Sequence, residues 1–280
     1  MLLTLILTGS ALAAVGICVG CGCFAGLSWL WALPLSFVGC FLGLLVLALL
    51  FLLAVIAPLN PKSVRETDSR FYRTLTNWYI DLIVTVLPLH IEVEGLEKRP
   101  TGGRFLLVSN HLHEIDPAIL MHYFPKAQLA FIAKKEVEDM FLVGKLMPQL
   151  LSQFLDREND RQALKTIVRC IQILKDDRAS IGVFPEGGIN NQRKLKHFRP
   201  GVFKIAQKAK VPIVVCTLRD THKAIGTVLK LKKATVTLHI LEVLSPQWME
   251  GKTTVEIADH VYGLMKEDLG PENLFVEENT

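Results

Sequence analysis

A short loop with two histidines and an aspartate follows the apolar run Phe105–Val108. It reads Ser109-Asn110-His111-Leu112-His113-Glu114-Ile115-Asp116. A carboxylate so close to a histidine can accept a hydrogen bond from one imidazole nitrogen, which leaves the other nitrogen as a base for a hydroxyl proton. Asp116 also precedes Pro117, a pattern typical of a helix start, so a capping aspartate beside solvated histidines is the competing interpretation. The loop alone does not decide between them.

Elements of two kinds alternate after Ile91 and would position this loop. Apolar runs of strand length alternate with segments that have a helical apolar period. This alternation predicts that residues 91–280 form an α/β domain, a mixed sheet flanked by helices. The predicted strands are Phe105–Val108, Leu129–Ala133, Ile181–Phe184, Val211–Cys216 and Thr235–Ile240. The predicted helices include Asp160–Lys175, Gly201–Lys210 and Thr253–Met265. Loops that follow strands are where such domains carry their chemistry.

Four sequence blocks in order resemble the motifs of the glycerolipid acyltransferase family. They are Asn110-His111 with Asp116 five residues after the histidine, Ala133-Lys134-Lys135-Glu136 leading to Phe154-Leu155-Asp156-Arg157, Phe184-Pro185-Glu186-Gly187, and Val211-Pro212-Ile213. The resemblance covers roughly residues 94–217. One such block is a weak signal, whereas four in the family's order and approximate spacing are a strong one.

For catalysis the resemblance implies that His111 is the general base and that Asp116 orients it, with His113 in a structural role. The donor would be acyl-CoA or an acyl-carrier-protein thioester, and the acceptor 1-acylglycerol-3-phosphate, giving phosphatidic acid. A thioester is already activated because its leaving thiol has a pKa of ~8.5. A base, proximity and donors for the oxyanion therefore suffice. No metal and no cofactor are expected.

For binding, the resemblance implies that Arg157 holds the acceptor's phosphate and that Glu186 and Gly187 hold its glycerol part. Pro212 would shape the pocket near the acyl group. The family commonly places an arginine shortly after the third block, but here Gly-Ile-Asn follows Gly187. We hypothesise that Arg193 reaches back to supply the missing cation, because a poorly paired dianion is costly to bury. A solvent-facing Arg193 is the competing interpretation.

The front of the chain is apolar throughout. No Asp, Glu, Lys, Arg or His precedes Lys62, and the net charge of +4 belongs entirely to the rest. Leu2–Val19 and Phe37–Ile56 each approach the ~20 residues that span a bilayer, so residues 1–58 are predicted to form a transmembrane helical hairpin. A cleaved signal peptide is disfavoured because its positive start is missing. Basic residues after the second span predict an integral membrane protein with its catalytic domain on the cytoplasmic face.

Residues 59–90 are predicted to form a juxtamembrane segment with one amphipathic helix. Its apolar face would comprise Phe71, Leu75, Trp78, Tyr79, Leu82 and Val86, and its polar face Arg70, Arg73, Asn77 and Asp81. A helix of this kind beside a bilayer is typical of an interfacial helix. Packing against the catalytic domain explains the same pattern.

Three other functions compete with acylation of 1-acylglycerol-3-phosphate. The first is the same chemistry on glycerol-3-phosphate or another lysophospholipid, and the second is a catalytically inactive lipid-binding homologue. An esterase with a serine nucleophile is disfavoured, since no Gly-x-Ser-x-Gly sequence occurs. The modest charge and the lack of a basic aromatic stripe argue against nucleic acid. The expected partners are therefore a lipid bilayer, the lysolipid acceptor and the acyl donor.

Overall fold

The computed structural model describes residues 1–87, 89–156, 158–224 and 233–276. The chain divides into two compact units, Met1–Asn60 and Pro61–Thr280.

The first unit consists of two apolar helices, α1 (Leu2–Gly20) and α2 (Trp29–Ile56), which pack against each other. Both are long and apolar enough to cross a bilayer. The predicted second span, Phe37–Ile56, lies within α2, which begins eight residues earlier, at Trp29. Pro34 lies inside this helix. A proline removes one backbone donor, and apolar membrane helices tolerate such a loss.

The second unit is an α/β domain, as the sequence predicted. Its strands are β1 (Leu89–Glu94), β2 (Leu106–Ser109), β3 (Ala130–Lys134), β4 (Gln153–Leu155), β5 (Ile181–Val183), β6 (Ile213–Arg219) and β7 (Ala234–Leu244). Its helices are α3 (Arg70–Val86), α4 (Asp116–Tyr123), α5 (Val143–Leu146), α6 (Asp160–Lys175), α7 (Lys204–Ala209) and α8 (Thr254–Leu269).

The strands form one mixed sheet in the order β1-β7-β6-β2-β5-β3-β4. Only the β6–β7 pairing is antiparallel among the described strands. Strands β6, β2, β5, β3 and β4 therefore all direct their carboxyl ends to one edge of the sheet. Strands β1 and β4 were not among the predicted strands.

Side chains alternate along the strands between two cores, one on each face of the sheet. Along β6, Ile213 and Val215 pack with α6, α7 and α8, whereas Val214, Cys216 and Leu218 pack with α3 and α4. Local signals start the flanking helices where predicted: Asn159 caps α6, and Thr253 with Glu256 forms a capping box at α8. Both cores contribute to holding the loops at the carboxyl edge.

Helix α3 packs against the domain by a different face from the predicted one. Arg73, assigned to a polar outer face, is buried and pairs with Asp68 at 2.9 Å. Its guanidinium also donates to the carbonyls of Leu129 and Leu150. A buried arginine is tolerable only with this many partners, and a sequence pattern cannot show partners so distant in the chain. The apolar residues Phe71 and Val86 remain exposed.

Candidate active site

The loop after β2 is fixed at its first residue by Asn110. This side chain is fully buried, and its amide pairs with both backbone groups of Leu218 at the end of β6. The two bonds measure 2.8 Å from Nδ2 to the carbonyl and 2.7 Å from the backbone nitrogen to Oδ1. Because the oxygen and the nitrogen of this amide are both hydrogen-bonded, the loop leaves the sheet in one defined direction.

His111 and Asp116 form the pair that the sequence suggested. His111 Nδ1 lies 2.9 Å from Asp116 Oδ2, and the same oxygen accepts the backbone N–H groups of Leu112 (2.7 Å) and His113 (2.8 Å). Asp116 is fully buried, and the His111 side chain is 17% exposed. The carboxylate therefore folds back on its own loop. With Nδ1 facing the carboxylate, Nε2 is the nitrogen positioned to take a proton.

His113, the other candidate base, is engaged at both ring nitrogens. Its Nδ1 accepts the backbone N–H of Ile115 at 3.2 Å, and its Nε2 lies 3.4 Å from Glu114 Oε2. A ring nitrogen that holds a backbone hydrogen bond is a poor proton acceptor for substrate. This geometry favours His111 as the base.

An aromatic stack that the sequence analysis missed supports the His111 ring. Phe184 stacks on the imidazole with centroids 4.1 Å apart, and Phe131 stacks on Phe184 at 5.8 Å. A Cβ at Gly182 would lie 2.4 Å from the Phe131 ring, so glycine there makes room for the stack. The sequence signal was Phe184 itself, the first residue of the third block.

Glu186 joins two loops through backbone hydrogen bonds. Its Oε1 accepts from His111 N at 2.8 Å, and its Oε2 accepts from Lys196 N at 2.9 Å. The side chain is buried. Burial raises its pKa to about 8, although the two backbone hydrogen bonds favour the charged form. Glu186 thus ties the β5 loop to the histidine.

Glu186→Gln should change how stability depends on pH. The ordinary pKa of a glutamate side chain is 4.5. Between about pH 4.5 and 8, Glu186 is therefore deprotonated in the unfolded chain and protonated in the folded chain. Stability then falls as pH rises through that window, by up to ~1.4 kcal/mol per pH unit. Glutamine removes this dependence but gives up one backbone bond. We expect the variant to melt below wild type at pH 5 and the gap to narrow by pH 8.

Thermal unfolding in detergent across this pH range measures the difference. Glu250→Gln, at an exposed position, is the matched control and should follow wild type throughout. Parallel pH curves for wild type and Glu186→Gln would contradict the burial argument.

Two further predicted binding residues lie near this site. Gly187 has a φ of 85° and its N–H donates to Phe184 O, so it closes the turn after β5. A left-handed φ favours glycine at this position. Arg193 donates from Nη1 to Leu112 O at 2.6 Å, which places its guanidinium against the catalytic loop. Arg193 thus contacts the loop that carries His111.

One predicted binding residue, Pro212, lies away from His111. Pro212 precedes β6, and its carbonyl accepts from Leu106 N at the start of β2. His111 follows Leu106 by five residues, which is roughly 16 Å in an extended chain. Arg157 lies outside the described residues; just before it, Asp156 pairs with Lys135 at 2.8 Å. Within the described ranges, no three His, Cys, Asp or Glu side chains cluster as a metal would require.

The family model and the relatives that match this chain are all acyltransferases. A family model described as "Acyltransferase" matches residues 90–219. A probable 1-acyl-sn-glycerol-3-phosphate acyltransferase of Mycoplasma pneumoniae is 32% identical over 198 residues, covering 68% of this chain and 73% of the relative. The 1-acyl-sn-glycerol-3-phosphate acyltransferase of Cocos nucifera is 27% identical over 215 residues, covering 76% and 68%. The matched regions contain the His111–Asp116 loop.

A solved structure shares the fold. The crystal structure of a 1-acyl-sn-glycerophosphate (LPA) acyltransferase from Thermotoga maritima superposes with a TM-score of 0.57 at 23% identity. The similarity covers 78% of this chain and 86% of that one. At this identity the likeness concerns the fold.

Proposed function

This chain belongs to the acyltransferase family that includes the 1-acyl-sn-glycerol-3-phosphate acyltransferases, and we propose that it acylates 1-acylglycerol-3-phosphate to give phosphatidic acid. The observation that carries the proposal is the pair His111–Asp116, held on a rigid loop at the carboxyl edge of the sheet. The names of the relatives support the acceptor.

The reaction follows from this geometry. The acceptor's hydroxyl oxygen attacks the thioester carbonyl carbon while His111 Nε2 takes the hydroxyl proton. Asp116, at 2.9 Å from Nδ1, holds the ring and stabilises the imidazolium that forms. The tetrahedral intermediate then expels the thiolate as the C–S bond breaks, and the imidazolium returns the proton to sulfur. The chain supplies the base and the positioning, and the thioester supplies the activation.

A substrate panel tests this proposal. The purified full chain, reconstituted in vesicles, is assayed with acyl-CoA and acyl-carrier-protein donors against 1-acylglycerol-3-phosphate, glycerol-3-phosphate and lysophosphatidylcholine. We expect the highest kcat/KM with 1-acylglycerol-3-phosphate. A preference for either other acceptor would reassign the substrate, and no transfer to any of them would favour an inactive lipid-binding homologue.

Arg193 is proposed to bind the acceptor's phosphate together with Arg157. One guanidinium nitrogen already donates to Leu112 O, and a planar guanidinium keeps further donors for a phosphate. Hydrogen bonds to charged groups contribute ~1.5–3 kcal/mol. Arg193→Ala should therefore raise the acceptor KM by about tenfold or more and leave the donor KM unchanged.

Steady-state kinetics with each substrate varied in turn measure this effect. Lys208→Ala removes an exposed cation on α7 and should leave both KM values unchanged. A fall in kcat with an unchanged acceptor KM in Arg193→Ala would limit Arg193 to holding the loop.

The chain is proposed to sit in the membrane by its first unit, with the second unit on the cytoplasmic face. The two apolar helices support membrane association. Lys62, Arg65 and Arg70 follow α2 closely, which favours the cytoplasm for that end. Tags on both termini should show equal protease access in sealed vesicles, because two spans return the chain to its starting side. Termini on opposite sides would contradict the hairpin.

A further inference from the structure

Four consecutive apolar residues stand exposed on the second unit, between β3 and β4. Met140 and Phe141 are 50% and 53% exposed, and Leu142 and Val143 are each 38% exposed. Single exposed apolar residues are ordinary, but a contiguous run of them is a mark of an interaction surface. We call residues 140–143 the apolar loop.

The apolar loop has a defined shape. A turn over Lys135–Asp139 precedes it, and Gly144 N donates to Met140 O at 2.8 Å. A Cβ at Gly144 would lie 2.2 Å from Glu138 O, so only glycine allows this close backbone contact. The exposed side chains are therefore presented by a fixed turn rather than by a loose strand of chain.

The apolar loop belongs to the same edge of the sheet as the catalytic histidine. It follows the carboxyl end of β3, and β5 alone separates β3 from β2, which leads to His111. Neighbouring strands are about 4.8 Å apart, so the two strand ends lie roughly 10 Å apart. A surface that contacts the loop would also be near the active site.

The base of the apolar loop also borders the segment that follows the apolar helix α2. Residues Pro61–Arg65 and Glu138 line one cavity of about 240 Å³, with Pro148 and Phe154 among its other walls. Pro61 follows Ile56, the last residue of α2, by five positions. Where α2 leaves a bilayer, only a few residues of chain separate the lipid surface from this cavity.

Charge around the apolar loop is balanced, which decides the kind of surface it fits. Lys134, Lys135 and Lys145 are offset by Glu136, Glu138 and Asp139. Lys145 Nζ lies 4.8 Å from the centre of the Phe141 ring. Lysine stems beside an aromatic ring suit the boundary between lipid tails and headgroups. With no net charge, attraction to anionic headgroups contributes little, and apolar burial is the main term.

We propose that the apolar loop dips into the lipid surface and holds the active-site edge against the bilayer, so that a membrane-dissolved acceptor reaches His111 without passing through water. This inference rests on the proposed lipid acceptor. Lipid is the proposed binding partner because the four exposed apolar residues are contiguous, are held by a fixed turn, and lie near the segment that follows α2.

A depth measurement tests the contact directly. Phe141→Cys carrying a bimane label is placed in the full chain in vesicles, after the accessible native cysteines are replaced with serine. These are Cys21, Cys23 and Cys40. Brominated lipids should quench the label at 141 and leave one at Val255→Cys unquenched, since Val255 is equally exposed (53%) but lies on α8. Quenching should persist without anionic lipid. No quenching at 141 would overturn the proposal.

An activity measurement separates this proposal from the proposed function. The double variant Phe141→Asp/Leu142→Asp should lose about tenfold in rate on a long-chain acceptor in vesicles, because charge opposes insertion. Its rate on a short-chain, water-soluble acceptor should stay within about twofold of wild type, as should both rates of Val255→Asp. Equal loss on both acceptors would overturn the lipid contact. If the wild-type protein were inactive on both acceptors, the proposed function itself would be refuted.

Discussion

Replacing His111 with alanine is expected to lower kcat by ~10²–10⁴-fold, the range that general-base catalysis supplies. The imidazole is the proton acceptor in the proposed reaction, and Asp116 holds its ring in place. His113 uses its Nδ1 for the backbone of Ile115. The KM values should change little, because His111 contributes chiefly to the transition state.

The matched control is His113→Ala, measured in the same vesicles. We expect it to lose far less activity, since its loss removes a loop hydrogen bond and leaves the base in place. Melting temperatures of both variants show that each is folded. An active His111→Ala with an inactive His113→Ala would reverse the assignment of the base.

Asp116→Asn is expected to reduce kcat by about 10²-fold or more while the variant stays folded. Asp116 Oδ2 accepts three N–H groups, and an asparagine oxygen can occupy the same place. What asparagine lacks is the negative charge opposite the imidazolium. Asp116 Oδ1 is buried without a hydrogen-bond partner among the described residues. An amide NH₂ there would be unsatisfied, which costs ~1–3 kcal/mol of stability.

Kinetics and thermal unfolding together separate these two effects. The prediction is a large fall in kcat, an acceptor KM close to wild type, and a modest fall in melting temperature. Asp116→Ala should be less stable than Asp116→Asn, because it also abandons the two backbone N–H groups of the loop. Wild-type kcat in Asp116→Asn would show that the carboxylate only shapes the loop.

The sequence predicted most of the features that depend on local residue order. Helix α6 begins and ends where its apolar period predicts. The strand before His111 is displaced by one residue, and the His111–Asp116 contact spans only five positions. Local signals of this kind are present in a short stretch of chain, so they can be read without a structure.

The features that sequence reasoning missed depend on contacts between distant segments. The stack brings together Phe131 inside β3, Phe184 just after β5 and His111 just after β2. Arg73 is buried because Asp68 and two remote carbonyls satisfy it. Pro212 was carried over by resemblance alone, whereas strand register puts it at the other end of β2 from the histidine. Register and partner choice are properties of the folded chain.

Product analysis of a single reaction is the most direct test of acyl transfer by this protein. The full chain in vesicles receives 1-acylglycerol-3-phosphate and an acyl thioester, and mass spectrometry of the lipids is combined with titration of the released thiol. Acyl transfer to the lysolipid predicts phosphatidic acid and free thiol in equal amounts. Thiol released without a diacylated product would show hydrolysis of the thioester, and would contradict acyl transfer to the lysolipid.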